Sequence, residues 1–186
     1  MSQRVSAPET RSTHFAELMS NFKPLPPFNR VNELLFYDKT TGRLHWKVSV
    51  ARWIKIGDEA GNYGHCAIDV TIDRVKYRAH RIIWLLVTEE DPGHLLIDHI
   101  NGNFHNNRFS NLRLAAPWQN QCNQKVRIDN TSGSKGVTWD KNKSKWLAQL
   151  QVKGKRLFLG RYKTKEEACA AYQKAAHEYH GDFVRL

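Results

Sequence analysis

An aspartate and a histidine stand side by side in an asparagine-rich stretch of the chain, residues 96–124. After Asp98 and His99 come seven asparagines: Asn101, Asn103, Asn106, Asn107, Asn111, Asn120 and Asn123. Histidine, with an ordinary pKa of about 6.5, can take a proton from water near neutral pH. A carboxylate with neutral amide oxygens suits a hard cation such as Mg²⁺. Phosphodiester hydrolysis needs both functions; the alternative is a polar loop whose asparagines only cap turns.

Asp98 and His99 can serve one site only if the chain bends or ends there, because neighbouring strand residues point to opposite faces. Asn101-Gly102 is a strong turn dipeptide and supplies such a bend. A second strand is predicted around residues 112–114, and Pro117 suits the first residue of a following helix. Asn120 then lies in the first turns of that helix, where it can face Asp98. Strand, long loop, strand and helix make a coherent metal site.

The stretch "DHINGNFHNNRFSNLRLAAPWQNQCNQ" closely resembles the HNH homing-endonuclease motif, the ββα-metal finger, in its phage and intron-encoded branch. The upstream stretches "YRAHRIIWLL" and "GRLHW" are similar to the same branch. The resemblance implies that His99 is the general base and Asp98 a metal-binding carboxylate. It makes Asn111 the asparagine that braces the loop and orients the histidine, and Asn120 the second metal ligand. Asparagine at that last position favours Mg²⁺, with Mn²⁺ as the alternative, over zinc.

One residue departs from the family pattern. Asn106 stands where the family often has an aspartate before Asn107-Arg108. If that aspartate caps the loop, the Asn106 side chain can replace it by its own hydrogen bonds. The absence of a C-x-x-C pair among Cys66, Cys122 and Cys169 argues against a zinc-braced subtype and a disulfide framework.

The end of the chain has a pattern of its own. Two alternating strands joined at Lys153-Gly154 are predicted, preceded by a short strand at residues 136–139. A helix follows, with a capping box at Thr164 and Glu167 and one face formed by Ala168, Ala171, Tyr172, Ala175 and Tyr179. From Ser132 to Leu186 there are 12 Lys and Arg against 5 Asp and Glu.

This segment resembles the AP2 DNA-binding domain over nearly its whole length, which implies a three-stranded antiparallel sheet on one helix with the exposed sheet face in the major groove. Glutamine can read adenine through two hydrogen bonds, and arginine can contact guanine or phosphate. The predicted contacts are Lys135, Trp139, Lys145, Gln149, Gln151, Arg156 and Arg161. In the nuclease part, Arg108 and Arg113 are either phosphate clamps or solvated charges.

The whole chain has 29 Lys and Arg against 18 Asp and Glu, a formal charge of +11. Such a balance favours a polyanionic partner, nucleic acid first and an anionic membrane surface second. A mean hydropathy of −0.63 and the lack of any apolar run of about 18 residues argue against a membrane protein. With no apolar signal core at the N-terminus, a soluble intracellular, cytoplasmic protein is predicted.

We therefore predict an α+β protein in four parts. Residues 1–30 form an arm or linker with at best a short helix around residues 14–21, since prolines crowd its end. Residues 31–125 form an HNH nuclease domain with an N-terminal β-rich region, 126–134 a linker, and 135–186 an AP2-like domain. The predicted function is Mg²⁺-dependent cleavage of double-stranded DNA, by a monomer or alternatively a dimer, with no membrane and no small-molecule cofactor. The rivals are a DNA-binding regulator with an inactive HNH core and a structure-directed repair or packaging nuclease.

Overall fold

The computed structural model describes residues 23–123, 126 and 129–184. The chain divides into two compact units, Met1–His94 and Leu95–Leu186. The boundary falls after the stretch "YRAHRIIWLL" and before the Asp98-His99 pair. The helix predicted around residues 14–21 lies outside the described residues. None of the helices described is long and apolar enough to span a bilayer.

Within the described residues, the first unit begins with a short helix, α1 (Phe28–Leu34), which starts directly after Pro27. An antiparallel hairpin follows, β1 (Leu35–Asp38) and β2 (Arg43–Trp46), with Leu35 opposite Trp46. Asp38 fixes the turn, because its carboxylate accepts hydrogen bonds from the backbone of Thr40 and from both threonine hydroxyls that follow. The turn of this hairpin is the stretch "DKTTG", whose Asp and Gly favour a turn.

A three-stranded antiparallel sheet completes this unit together with one helix. Its order is β3 (Asn62–Tyr63), β4 (Ile68–Ile72) and β5 (Val75–Arg78). Asp73 and Arg74 form the turn between the last two strands, both with positive φ, 48° and 66°. Helix α2 (Ala79–Thr88) packs on the sheet. Its Ile82 and Ile83 are fully buried.

The second unit begins with two antiparallel strands and a helix. Strand β6 (Leu96–His99) pairs with β7 (Leu112–Ala115), and the intervening loop ends in a single 3₁₀ turn at Phe109–Asn111. Helix α3 (Pro117–Cys122) follows at once and packs against both strands. Pro117 is its first residue, as predicted, since a missing N–H costs nothing there.

The rest of the second unit is a three-stranded antiparallel sheet backed by a helix. The sheet order is β8 (Val137–Asp140), β9 (Lys145–Val152) and β10 (Lys155–Tyr162), with β9 in the centre. Helix α4 (Lys165–His180) starts with the predicted capping box of Thr164 and Glu167. Its alanines pack on the sheet through two small clusters, centred on Ala148 and on Leu150.

The structure corrects two of the sequence predictions. The prolines predict an arm or linker up to residue 30, but helix α1 already begins at Phe28, directly after Pro27 in its N-cap position. In α4, Tyr179 is 46% exposed, while Ala176 and His180 are buried instead. The buried stripe of a long helix drifts around its axis, because 3.6 residues per turn does not match a fixed repeat of seven.

Candidate active site

The Asp98-His99 pair closes strand β6. Both side chains are almost fully buried, at 5% and 4% exposure. In the register of the hairpin, Asp98 lies opposite Arg113 and His99 lies opposite Leu112. The chain turns immediately afterwards, because the amide of Gly102 donates to the carbonyl of His99 at 2.7 Å and Gly102 has a φ of 63°. The turn predicted at Asn101-Gly102 is therefore present.

The carboxylate of Asp98 is held from two sides. Arg113 donates to Oδ2 through Nε at 2.9 Å and through Nη2 at 2.7 Å. Asn123, just after α3, donates through Nδ2 to both carboxylate oxygens at 3.0 Å and to the carbonyl of His99 at 2.8 Å. A buried carboxylate is tolerated only when it is paired and hydrogen-bonded, and both conditions hold here.

The imidazole of His99 is oriented by Asn107, whose Oδ1 lies 2.8 Å from Nε2. With that oxygen as acceptor, the neutral ring carries its proton on Nε2 and its lone pair on Nδ1. The ring of Phe104 meets the imidazole edge-on, with 5.9 Å between centroids. Burial lowers the pKa of His99 below its ordinary value, and the Asn107 hydrogen bond and the charge of Asp98 oppose that shift. A lowered pKa keeps the ring neutral, as a base must be.

Asn111 ties together the two ends of the loop. Its Nδ2 donates to Oδ1 of Asn101 at 3.0 Å and to the carbonyl of Asn106 at 2.8 Å, while its Oδ1 accepts from the amide of Asn101 at 3.0 Å. The bracing predicted for Asn111 matches these contacts. The side chain that contacts the imidazole is that of Asn107, and Asn111 holds the carbonyl of the preceding residue, Asn106. The role of Asn111 in orienting the histidine stays a prediction. Asn106 caps the loop as predicted, since its Oδ1 accepts from the backbone of Arg108 at 3.4 Å.

Asn120 lies half-buried on α3, and its backbone amide donates to the carbonyl of Ala116 at 3.1 Å. The amide that reaches Asp98 belongs to Asn123, roughly one helical turn further along the chain. Within the described residues, no cluster of three or more His, Cys, Asp or Glu side chains could hold a metal ion. One carboxylate and one amide still fit Mg²⁺, since Mg²⁺ keeps several waters and uses one or two carboxylates together with substrate phosphate.

The predicted DNA contacts largely share one face of the C-terminal sheet. Cross-strand partners point to the same side of a sheet. Arg156 lies opposite Gln151, Arg161 opposite Leu147, and Lys145 opposite Asp140. All of these positions alternate with the buried Ala148 and Leu150. The face directed away from α4 therefore carries Lys145, Gln149, Gln151, Arg156 and Arg161, together with the 55% exposed Phe158.

Four predicted contacts lie elsewhere. Trp139 pairs with Trp146 on the side of the sheet that faces the helix, with ring centroids 5.3 Å apart. Lys135 points its ammonium at the carbonyl of Cys122, at 3.0 Å. The Arg113 side chain is only 16% exposed and faces Asp98. Arg108 is exposed in the loop and contacts Oδ1 of Asn106 at 3.3 Å through Nη1.

Sequence reasoning missed the two amides that touch the Asp98-His99 pair, those of Asn107 and Asn123. Both belong to the asparagine-rich stretch that drew attention to the site. Asn123 could have been found, since it follows Asn120 by about one helical turn and so shares its face. Asn107 had no such signal, because its position depends on the path of an irregular loop.

Two family models match the chain. Residues 77–121 match the HNH endonuclease model and residues 132–182 match the AP2 domain model. Protein 3.8 of Escherichia phage T7 is 34% identical over 111 residues, which make up 59% of this chain and 89% of the phage protein. Uncharacterized HNH endonuclease L560 of Acanthamoeba polyphaga mimivirus is 31% identical over 138 residues, which make up 74% of this chain and 71% of that protein. No solved structure matches the chain.

The fold, the Asp98-His99 site and these matches define a protein that joins a nuclease-type HNH domain to an AP2 DNA-binding domain. The chain belongs to the phage-type HNH endonuclease family that carries such a C-terminal AP2 domain.

Proposed function

We propose that the protein is a homing-type, metal-dependent DNA endonuclease in which His99 is the general base. The observation that carries the proposal is the contact between Nε2 of His99 and Oδ1 of Asn107, 2.8 Å apart in a buried site next to Asp98. A buried, oriented and neutral imidazole beside a carboxylate is the arrangement expected of a base that activates water. A histidine that only filled the core would not need a carboxylate beside it.

Each residue of the proposed site has a separate role in DNA cleavage. His99 takes a proton from the attacking water, and Asn107, whose Oδ1 lies 2.8 Å from Nε2, keeps the ring in its orientation. Asn111 holds the loop that carries Asn107. Asp98 and Asn120 would hold Mg²⁺, or Mn²⁺ in its place. When bound, the ion would neutralise charge on the scissile phosphate and on the leaving oxygen.

The C-terminal sheet supplies the main DNA contacts in this proposal. Its outward face combines Gln149 and Gln151, which can hydrogen-bond to base edges, with cationic side chains that can contact phosphate. Arg161 is partly engaged already, because its Nε lies 2.9 Å from Oδ2 of Asp140. Arg156 is exposed on the same face and is the better candidate for a phosphate contact. Double-stranded DNA is therefore the proposed substrate.

Plasmid cleavage tests the proposal most directly. Purified protein is incubated with supercoiled plasmid and Mg²⁺, alongside His99→Ala and His94→Ala. Loss of the general base is expected to slow cleavage by at least about 100-fold. His94 is an exposed histidine just before β6, and its replacement is expected to leave the rate unchanged. No cleavage by the wild type, or equal cleavage by His99→Ala, would instead favour a DNA-binding regulator with an inactive core.

A further inference from the structure

The last described turn of the AP2 module contacts the nuclease strand β7. Beyond α4 the chain forms a 3₁₀ turn at Gly181–Phe183, and this turn covers Arg113. Nη1 of Arg113 donates to the carbonyl of Asp182 at 2.6 Å. The ring of Phe183 lies against the guanidinium, with Cζ 3.8 Å from the ring centroid. Arginine is weakly hydrated and stacks well on aromatic faces, so the contact holds the guanidinium in one orientation.

The same guanidinium decides how Asp98 presents its two oxygens. Nε and Nη2 of Arg113 both donate to Oδ2, which also accepts from Asn123. Among the described residues, Oδ1 accepts a hydrogen bond from Asn123 alone. A carboxylate offers about four acceptor sites in all. Arg113 therefore occupies one oxygen, fixes the rotation of the carboxyl group, and leaves acceptor capacity on Oδ1 for a cation.

The chain reaches this position because α4 stops abruptly. Gly181 ends the helix with a φ of 53°, a left-handed conformation that favours glycine. His180 is buried beside Trp118 of α3, with 6.3 Å between the ring centroids. The helix end is thereby anchored on α3, and the following turn is directed onto Arg113.

We infer that Phe183 is a positioning residue of the nuclease site, acting through Arg113 to aim the Asp98 carboxylate. The inference rests on the proposed function of Asp98 as a metal ligand. On this inference, the end of the AP2 module contributes to the function of the HNH centre in addition to contacting it. An AP2 module that served only to bind DNA would have no need to cover an arginine bound to that carboxylate.

Substitutions at Phe183 in the full chain test this role. Phe183→Ala removes the ring, Phe183→Tyr keeps it, and Tyr179→Ala removes an exposed aromatic ring from the same helix end as a control. For each variant we would measure kcat and KM for plasmid cleavage, Mn²⁺ binding without DNA by calorimetry, DNA affinity in EDTA, and the melting temperature. Loss of a group that orients a metal ligand typically lowers metal affinity or activity 10- to 100-fold.

Phe183→Ala is expected to lower kcat and Mn²⁺ affinity by about 10-fold or more, while KM and DNA affinity in EDTA stay within about twofold. Phe183→Tyr and Tyr179→Ala are expected to match the wild type. Unchanged Mn²⁺ binding by Phe183→Ala would overturn the inference, and so would tighter binding, which would mean that the turn competes with the metal.

Arg113→Lys is a second variant that tests the same role if Phe183→Ala does not fold. It keeps the charge but loses the planar fork that holds Oδ2, so the same loss of Mn²⁺ affinity is expected. Equal Mn²⁺ affinity of Arg113→Lys and the wild type would refute the role of Arg113 in orienting Asp98. Mn²⁺ binding is measured without DNA cleavage, so it tests this inference separately from the proposed function. A wild type that binds Mn²⁺ but does not cut DNA would refute the proposed function, and the comparison of variants would still test the role of Phe183.

Discussion

Neutral amides provide hydrogen bonds around His99 without adding charge near the imidazole. A base must stay unprotonated near neutral pH, and burial lowers the pKa of His99 in that direction. A second carboxylate against the ring would raise that pKa and would also repel the phosphate of DNA. Asn107 orients the ring, and Asn123 supports Asp98, without adding charge. The abundance of asparagine thus reflects a need for hydrogen bonds near a base that must not be protonated.

Replacing Asn107 by aspartate tests this reasoning. Asn107→Asp keeps the shape but places an anion against Nε2, so it stabilises the imidazolium. The pKa of His99 is expected to rise, and the acid limb of the cleavage rate moves to higher pH with it. The measurement is the pH dependence of kcat/KM for wild type and variant over about pH 5 to 8, the range in which histidine changes its charge.

Asn103→Asp is the matched control, because it makes the same change of charge in the same loop at an exposed asparagine whose Oδ1 caps the backbone of His105. Its acid limb is expected to lie close to that of the wild type. Equal shifts in the two variants would mean that general loop charge, and not the contact with the ring, sets the profile.

For single residues, the sequence indicated which side chains to assign to the site, but it indicated less well which side chains form hydrogen bonds with them. Asp98, His99 and Asn111, which their spacing and the family resemblance assign to one site, all lie buried around one loop. The contact of Asn107 with the imidazole was not predictable, since it depends on the path of the loop. The pairing of Arg113 with Asp98 could have been read from the hairpin register, which places them opposite each other.

Among the elements, the C-terminal sheet depends on one close approach between strand and helix. Gly136 precedes β8 with a φ of 63°, and its carbonyl accepts from the amide of Gln149 at 2.8 Å. A Cβ at this position would overlap the carbonyl oxygen of Gln149 and the ring of Tyr172. Backbone and a half-buried ring of α4 cannot both move aside without separating the helix from the sheet.

Gly136→Ala is therefore expected to destabilise the AP2 module by about 3 kcal/mol, since overpacking adds to the cost of a positive φ. Gly133→Ala is the control, because Gly133 has a similar φ of 66° but nothing within 4 Å of an added Cβ. Alanine in a left-handed backbone conformation alone costs about 1 kcal/mol there. Urea unfolding followed by circular dichroism compares the two; equal losses would show that the close approach to Tyr172 does not matter.

Turn residues and alternation account for most of the elements that could be predicted. Lys153-Gly154 joins β9 to β10 with both φ values positive, at 47° and 79°. Helix α1 was missed because proline-rich sequence was read only as a block to helix, although proline also precedes helices. Domain bounds at residues 125 and 134 stay a prediction, and the compact units meet at His94 and Leu95.

Over the whole molecule, positive charge is concentrated where the proposal places DNA. Residues 132–186 carry 12 Lys and Arg against 5 Asp and Glu. Deleting this segment would be a poor test of its role, because the deletion would also remove Phe183 from Arg113. DNA binding and positioning of the site can be separated only by single substitutions on the outward face of the sheet.

Arg156→Ala makes that separation. If Arg156 contacts a phosphate, its loss is expected to weaken binding to all duplexes alike and to lower the slope of log K against log salt by about 1, since one fewer counterion is released. Fluorescence anisotropy at several salt concentrations, with EDTA present, measures the slope without cleavage. Lys174→Ala removes the same charge from the exposed side of α4, away from the sheet, and is expected to keep the wild-type slope. If both variants lower the slope equally, net charge and not the sheet face governs binding, and the outward face loses its proposed role.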